Sequence, residues 1–276
     1  MTVSLLRRAD VIALLEGQDR HPRKALGQNF VVDPGTIRRI VRLAGIEPGD
    51  RVLEIGPGLG SLTLGLLEAG AAVTAIEKDP GLADTLRGTI AVRAPGLSAD
   101  VITDDALSVD LAEVTRHGEW SLVANLPYNV ATQLVIRALD DAPNIESMMV
   151  MVQREVADRL VAGGGATATG IPSILIAMSA TARLVGTIGP EVFFPRPRVV
   201  SALVALRRHD HDVFAGADRQ LARQLVRTSF GQRRKTLRRS LGLDFEVFGQ
   251  AGILPTARPQ ELTMDDWRRL TMAAST

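Results

Sequence analysis

Residues 125–128 read Asn-Leu-Pro-Tyr and follow the apolar run Trp120–Ala124. The Asn125 side-chain oxygen and the backbone carbonyl of Leu126 or Pro127 place two hydrogen-bond acceptors in one short loop. Such a pair suits an aromatic amine, above all the exocyclic amine of adenine. That amine is a weak nucleophile because its lone pair is delocalised into the ring. Two acceptors gripping its N–H bonds draw it towards tetrahedral geometry and localise the lone pair for in-line attack on a sulfonium methyl carbon. This is catalysis by positioning and electrostatic complementarity. It needs no strong base, because the methylated ammonium sheds its proton readily. Pro127 has no N–H to donate and restrains the loop. Tyr128, the one tyrosine of the chain, can stack a base turned out of its helix, and Phe193 is the candidate for the other face.

A second constellation suits a nucleoside-bearing methyl donor, S-adenosylmethionine. Glu54-Ile-Gly56-Pro-Gly58-Leu-Gly60 joins an apolar run to a leucine-rich one. Glycines there let the backbone turn sharply and approach a ligand closely. Taken alone, the run is also what a tight strand–helix turn requires. Its spacing is G-x-G-x-G, with Ser61 where a dinucleotide fingerprint has its third glycine. Glu77 ends the next apolar run and can accept bonds from both ribose hydroxyls. Asp105 follows the third and can accept from an adenine amine. Each acid alone is an ordinary loop residue, but in this chain order all three groups fall at one edge of a sheet.

The elements that must position these groups are legible as an alternation. Arg51–Ile55, Ala72–Glu77, Val101–Asp104, Trp120–Ala124 and Met148–Gln153 read as strands. Helical stretches Ser61–Ala69, Gly81–Gly88, Val130–Leu139 and one through Leu160 follow all but the third. The expected fold class is α/β: a Rossmann-like, doubly wound sheet with a parallel core, ligand beyond the carboxyl ends of its strands. Gly163–Gly170 reads as a loop. Glu191–Leu206 reads as a proline-rich loop followed by a strand. After that the apolar spacing becomes helical, so residues 1–206 are expected to form the catalytic domain with an N-terminal extension, and residues 207–276 a small helical one.

Composition narrows the chemistry. The 276 residues contain no cysteine, which excludes disulfides, thiolate metal sites and a cysteine nucleophile of the kind that pyrimidine-carbon methylation uses. Four histidines without an H-x-x-x-H spacing argue against a catalytic metal. No apolar run approaches the roughly 18 residues of a membrane span, so a soluble, cytoplasmic protein is expected; the expected oligomeric state is a monomer. The net charge is +1, yet Arg207–Ser240 holds ten basic residues against three acidic ones. A basic segment on an otherwise mildly acidic chain suits a polyphosphate partner. Arg233, Arg234 and Lys235 are its densest run and are expected to meet RNA phosphates.

Gly27-Gln28-Asn29-Phe30, the E-I-G-P-G-L-G loop, Glu77, Asp105, N-L-P-Y-N and the F-x-P-x-P-x-V of Phe193–Val199 together resemble the ribosomal RNA adenine dimethyltransferases. Gln232-Arg233-Arg234-Lys235-Thr236-Leu237 and the R-P-Q-E-L of Arg258–Leu262 are similar to the KsgA-type branch. The resemblance spans about residues 20–270. It implies a class I methyltransferase domain with a C-terminal helical domain. It further implies dimethylation of two adjacent adenosines in the hairpin near the 3′ end of 16S rRNA, during small-subunit assembly. By it, Asn29, Val31, Gly56, Gly58, Glu77, Asp105 and Asn125 line the S-adenosylmethionine site, while Asn125, Pro127, Tyr128 and Phe193 handle the target base. Val31 stands where the family usually has Leu, and Arg198 where it often has Lys.

Three other readings compete. An Erm-type antibiotic-resistance enzyme has the same chemistry on 23S rRNA, and Gln232–Leu237 argues against it. An RNA-binding assembly factor without turnover would not need N-L-P-Y intact. An NAD-dependent dehydrogenase would need the longer glycine fingerprint and a second dinucleotide half.

Overall fold

The computed structural model describes residues 2–17, 29–162 and 169–275. From the N-terminus, α1 (Arg8–Glu16) precedes β1 (Phe30–Val31) and α2 (Pro34–Ala44). The alternating core follows: β2 (Arg51–Ile55), α3 (Ser61–Glu68), β3 (Ala72–Glu77), α4 (Pro80–Arg93), β4 (Ala99–Thr103), α5 (Leu111–Val114), β5 (Trp120–Asn125), α6 (Ala131–Asp141), β6 (Ile145–Gln153) and α7 (Arg154–Val161). Then come α8 (Ile171–Ala177), β7 (Ala180–Ile188), β8 (Phe193–Phe194), β9 (Ser201–Arg208), α9 (Arg219–Gly231), α10 (Leu237–Leu241), α11 (Phe245–Ala251) and α12 (Met264–Ala274).

Seven strands form one sheet in the order β4-β3-β2-β5-β6-β9-β7. Pairings from β4 to β6 are all parallel. β9 runs antiparallel to β6, from Ser147 opposite Arg207 to Gln153 opposite Ser201. The parallel strands are apolar because helices cover both faces: Val52, Leu53, Ala75, Ile76, Val123 and Val150 are all nearly inaccessible. The chain leaves β2 for β3 on one side and reaches β5 on the other, so the strand order reverses at β2. A crevice opens at such a reversal, beyond the carboxyl ends of the strands.

Local signals explain the helix starts. Asp33 caps α2 by accepting from the Thr36 N–H at 2.7 Å, with Pro34 in the first turn. Asp79 caps α4 through the Gly81 and Leu82 N–H groups, followed by Pro80. A side-chain acceptor at this position satisfies amides the helix leaves unpaired. The expected strands and helices all form, with ends shifted by a few residues. Residue periodicity alone did not reveal α1, α2, α5, α8, β7 or the ribbon of β1 with β8. The last pairs Phe30 with Phe194 and Val31 with Phe193, and two-residue strands carry no periodicity to detect.

The chain divides into two compact units. The first holds residues up to Ala157 together with Arg183–Arg207, and the second holds Asp158–Ala182 with everything from Arg208 onward. A single cut at 206/207 therefore misplaces residues 158–182. The reason is apolar: Ile174, Leu175 and Ile176 of α8 are buried, and α8 packs on α9. His209 makes the same join, its backbone N–H donating to the Ser179 carbonyl at 3.0 Å. The second unit has its own core around Trp267, Phe214 and Phe248, with Phe230 stacked 6.3 Å from Trp267. Of the expected Gly163–Gly170 loop, residues 163–168 lie outside the described residues, as do Gly27 and Gln28. Among the described residues no helix is long and apolar enough to cross a membrane.

Candidate active site

The crevice at the carboxyl ends of β2, β3, β4 and β5 is a cavity of about 640 Å³, a size ordinary for a small-molecule site. Asn29, Val31, Gly56, Gly58, Glu77, Asp105, Asn125 and Pro127 all line it. All seven residues expected at the cofactor are thus brought to one place.

Gly58 and Glu77 depend on each other. Gly58 has φ +57, and a Cβ there would sit 2.8 Å from the Phe30 ring. Only glycine takes this conformation and this approach without strain. In that conformation the Gly58 N–H donates to Glu77 Oε2 at 3.0 Å, while the Asp79 N–H donates to Oε1 at 3.0 Å. Each oxygen keeps a second lone pair. Burial pushes the Glu77 carboxyl up, and these two N–H donors pull it back.

Behind this rim lies Glu54, to which the sequence reading gave no role of its own. It is 1% exposed and accepts from Thr63 Oγ1 at 2.6 Å. Burial pushes its carboxyl up to about 8, the Thr63 bond opposes that, and nearby Glu77 adds to it. Thr63, two residues into α3, was the available signal: a hydroxyl facing an acid from a leucine-rich helix.

Asp105 is differently placed from a free acceptor. Lys78 Nζ lies 2.6 Å from Oδ2, and the Leu107 N–H donates to Oδ1 at 3.0 Å. These bonds hold its carboxyl below the ordinary range. Lys78 is well exposed, so the pair is weak in energy and its partners exchangeable.

Asn125 ends β5. Its Nδ2 donates to the Asn29 carbonyl at 3.0 Å, which leaves Oδ1 as the unassigned acceptor. The next two carbonyls differ. That of Pro127 takes the Val130 and Ala131 N–H groups at 3.2 and 3.0 Å, opening α6. Among the described residues nothing donates to the carbonyl of Leu126, whose own N–H is bonded to Met151. Of the two backbone acceptors left open by the sequence, the geometry leaves Leu126.

Tyr128 is half-buried beside the cavity. Its hydroxyl lies 3.1 Å from Ser201 Oγ at the start of β9, and Ser201 is fully buried. Burial pushes the phenol up, partly offset by this bond. Phe193 corrects the expectation of a base-facing ring: it is 0% exposed in the hydrophobic core, because pairing with Val31 in β8 turns it inward. Phe194 is partly exposed and carries the Arg8 guanidinium 5.1 Å from its ring centre.

Arg233, Arg234 and Lys235 lie in the second unit, in the turn between α9 and α10, and all are exposed. Arg219, at the start of α9, is paired with Asp212.

A doubly wound sheet with this strand order, a glycine loop after its first core strand, and acids at the ends of the next two define a class I methyltransferase fold. A dimethyladenosine transferase from Plasmodium falciparum shares that fold, with a TM-score of 0.74 at 22% identity over 86% of this chain and 94% of its own. The 23S rRNA methyltransferase ErmE has a TM-score of 0.68 at 25% identity, over 90% of this chain and 100% of its own. The ribosomal RNA adenine dimethylase profile matches residues 20–272. The Ribosomal RNA small subunit methyltransferase A of Bifidobacterium longum subsp. infantis is 45% identical over 289 residues, 99% of this chain and 94% of its own. The chain belongs to the ribosomal RNA adenine dimethylase family.

Proposed function

We propose that this chain is an S-adenosylmethionine-dependent enzyme that dimethylates the N6 amines of two adjacent adenosines in the 3′-terminal hairpin of 16S rRNA. In this reading it acts as a cytoplasmic monomer during assembly of the small ribosomal subunit. The name of the 45% identical relative supports the small subunit over 23S rRNA, and so does the Gln232–Leu237 motif.

The residues present fit the cofactor. The cavity has the volume of a small-molecule site, and Gly56 and Gly58 put backbone without side chains into its lining. Glu77 retains one lone pair per oxygen for the two ribose hydroxyls, and Asp105 is the acceptor for the adenine amine. Buried Ser61 Oγ, at the first turn of α3, has no partner among the described residues, an unmet polar group in the lining. When bound, S-adenosylmethionine supplies an electrophilic methyl carbon.

The chain does the rest by positioning. Asn125 Oδ1 and the Leu126 carbonyl accept the two N–H bonds of the target amine and hold its lone pair outward. Pro127 stiffens that loop, and Tyr128 stacks the turned-out base. Phe193 supports the site from the core. Arg233, Arg234 and Lys235 of the second unit meet rRNA phosphates. The observation that carries the reading is the Asn125–Asn29 bond, since it commits the amide nitrogen and leaves Oδ1, in a residue that lines the cavity, as the acceptor for an amine.

The test is methyl transfer from labelled S-adenosylmethionine to small subunits lacking the modification, mapped by nucleotide, with large subunits in parallel. Label on two adjacent adenosines of the 16S hairpin is expected. Label on 23S rRNA, or none, would overturn the reading.

A further inference from the structure

The second unit carries an aromatic ring that its fold does not use. Phe245 is the first residue of α11 and is 62% exposed. The Arg238 guanidinium lies 4.1 Å from its ring centre, so one face of the ring is already paired with a planar cation and the remainder faces solvent. The Arg238 backbone N–H donates to the Pro255 carbonyl at 3.2 Å, which ties the turn after α11, with Leu254 at 73% exposure, to α10. Phe248 and Ala251 of α11 supply its buried face, so Phe245 is not needed to anchor the helix.

The surroundings specify what the ring would meet. Arg233, Arg234, Lys235, Arg238 and Arg239 are exposed and lack a carboxylate partner among the described residues. The acids beside the ring are Asp244 and Glu246, giving a net +3 over residues 233–246. Unpaired cations next to an exposed ring are complementary to a nucleic acid, whose phosphates take the charges and whose bases take the ring. An arginine stacked on one face fixes the ring's plane and adds to its affinity for a π-system.

We propose that Phe245, backed by Arg238, is a stacking platform for an unpaired nucleobase of the rRNA, apart from the base that is methylated. The proposal rests on the rRNA reading above and adds a recognition site on the second unit. The platform contributes affinity by π-stacking, and the Arg233–Lys235 turn contributes it by charge, so the two respond differently to salt.

The experiment measures binding of the full chain to undermethylated small subunits over a salt series. Phe245→Ala is expected to weaken binding about tenfold with an unchanged salt slope. Phe245→Trp is expected to retain or raise affinity, and Phe245→Leu to behave as the alanine variant. The triple change of Arg233, Arg234 and Lys235 to Ala should instead flatten the slope of log affinity against log salt by about 2. Wild-type affinity in Phe245→Ala overturns the platform. So does wild-type affinity in Phe245→Leu, which would mark an apolar contact to a ribosomal protein. Methyl transfer by the wild-type chain is scored on the same subunits: its absence refutes the activity reading, whereas the platform stands or falls on the affinity series.

Discussion

Asn125 and Asn29 lie 96 residues apart and are joined by a hydrogen bond of 3.0 Å from the side-chain amide of one to the backbone carbonyl of the other. The bond sets the amide's orientation: nitrogen towards Asn29, oxygen left to accept a further bond. On the proposed reading Asn125→Ala removes one of the two acceptors of the target amine, and a loss in kcat of about 10²–10³-fold is expected. Asn125→Asp keeps an acceptor but replaces the donor with an oxygen facing the Asn29 carbonyl, so it should rescue poorly. Single-turnover methyl transfer beside cofactor binding checks this. Equal loss of both in Asn125→Ala would mark the residue as structural.

Glu77 is held by two backbone N–H donors, one on each oxygen. Glu77→Gln sets an NH₂ group against one of those donors and deforms either the glycine loop or the start of α4. Cofactor affinity should fall about tenfold or more, the cost of an unsatisfied buried donor, with rRNA affinity retained. Calorimetric titration with S-adenosylmethionine measures it, and an unchanged affinity would remove the ribose assignment.

Tyr128 and Ser201 share one hydroxyl–hydroxyl bond between the loop after β5 and the start of β9. If that bond sets the ring's angle, Tyr128→Phe and Ser201→Ala each lower kcat/KM for rRNA by about three- to tenfold, and the double variant loses no more than either alone. Additive losses would show that each residue acts separately.

Glu54 ties stability to pH. Its carboxyl titrates at about 8 in the folded chain against 4.5 ordinarily. Between those values the folded chain holds a proton that the unfolded chain has released. Stability attributable to this group is therefore full below the ordinary value and is lost as pH rises through the folded one. The thermal midpoint of the wild type should fall from about pH 6 to about pH 9, and that of Glu54→Gln, which keeps an acceptor for Thr63, should fall less. Parallel curves for the two proteins would show that Glu54 is not the group responsible.

By itself, the sequence determined the alternating core and the chemistry at its strand ends. Buried parallel strands must be apolar, a glycine turn must follow the first, and an acceptor-rich loop must follow β5. These are local demands, written in consecutive residues. Tertiary structure alone decided what met across long separations. Pairing of two-residue strands brought Val31 against Phe193 and turned that ring into the core. β9 delivered Ser201 to Tyr128, and an apolar face drew α8 out of the first unit into the second. Such choices follow from shape and burial summed over many elements, and no single stretch of chain carries them.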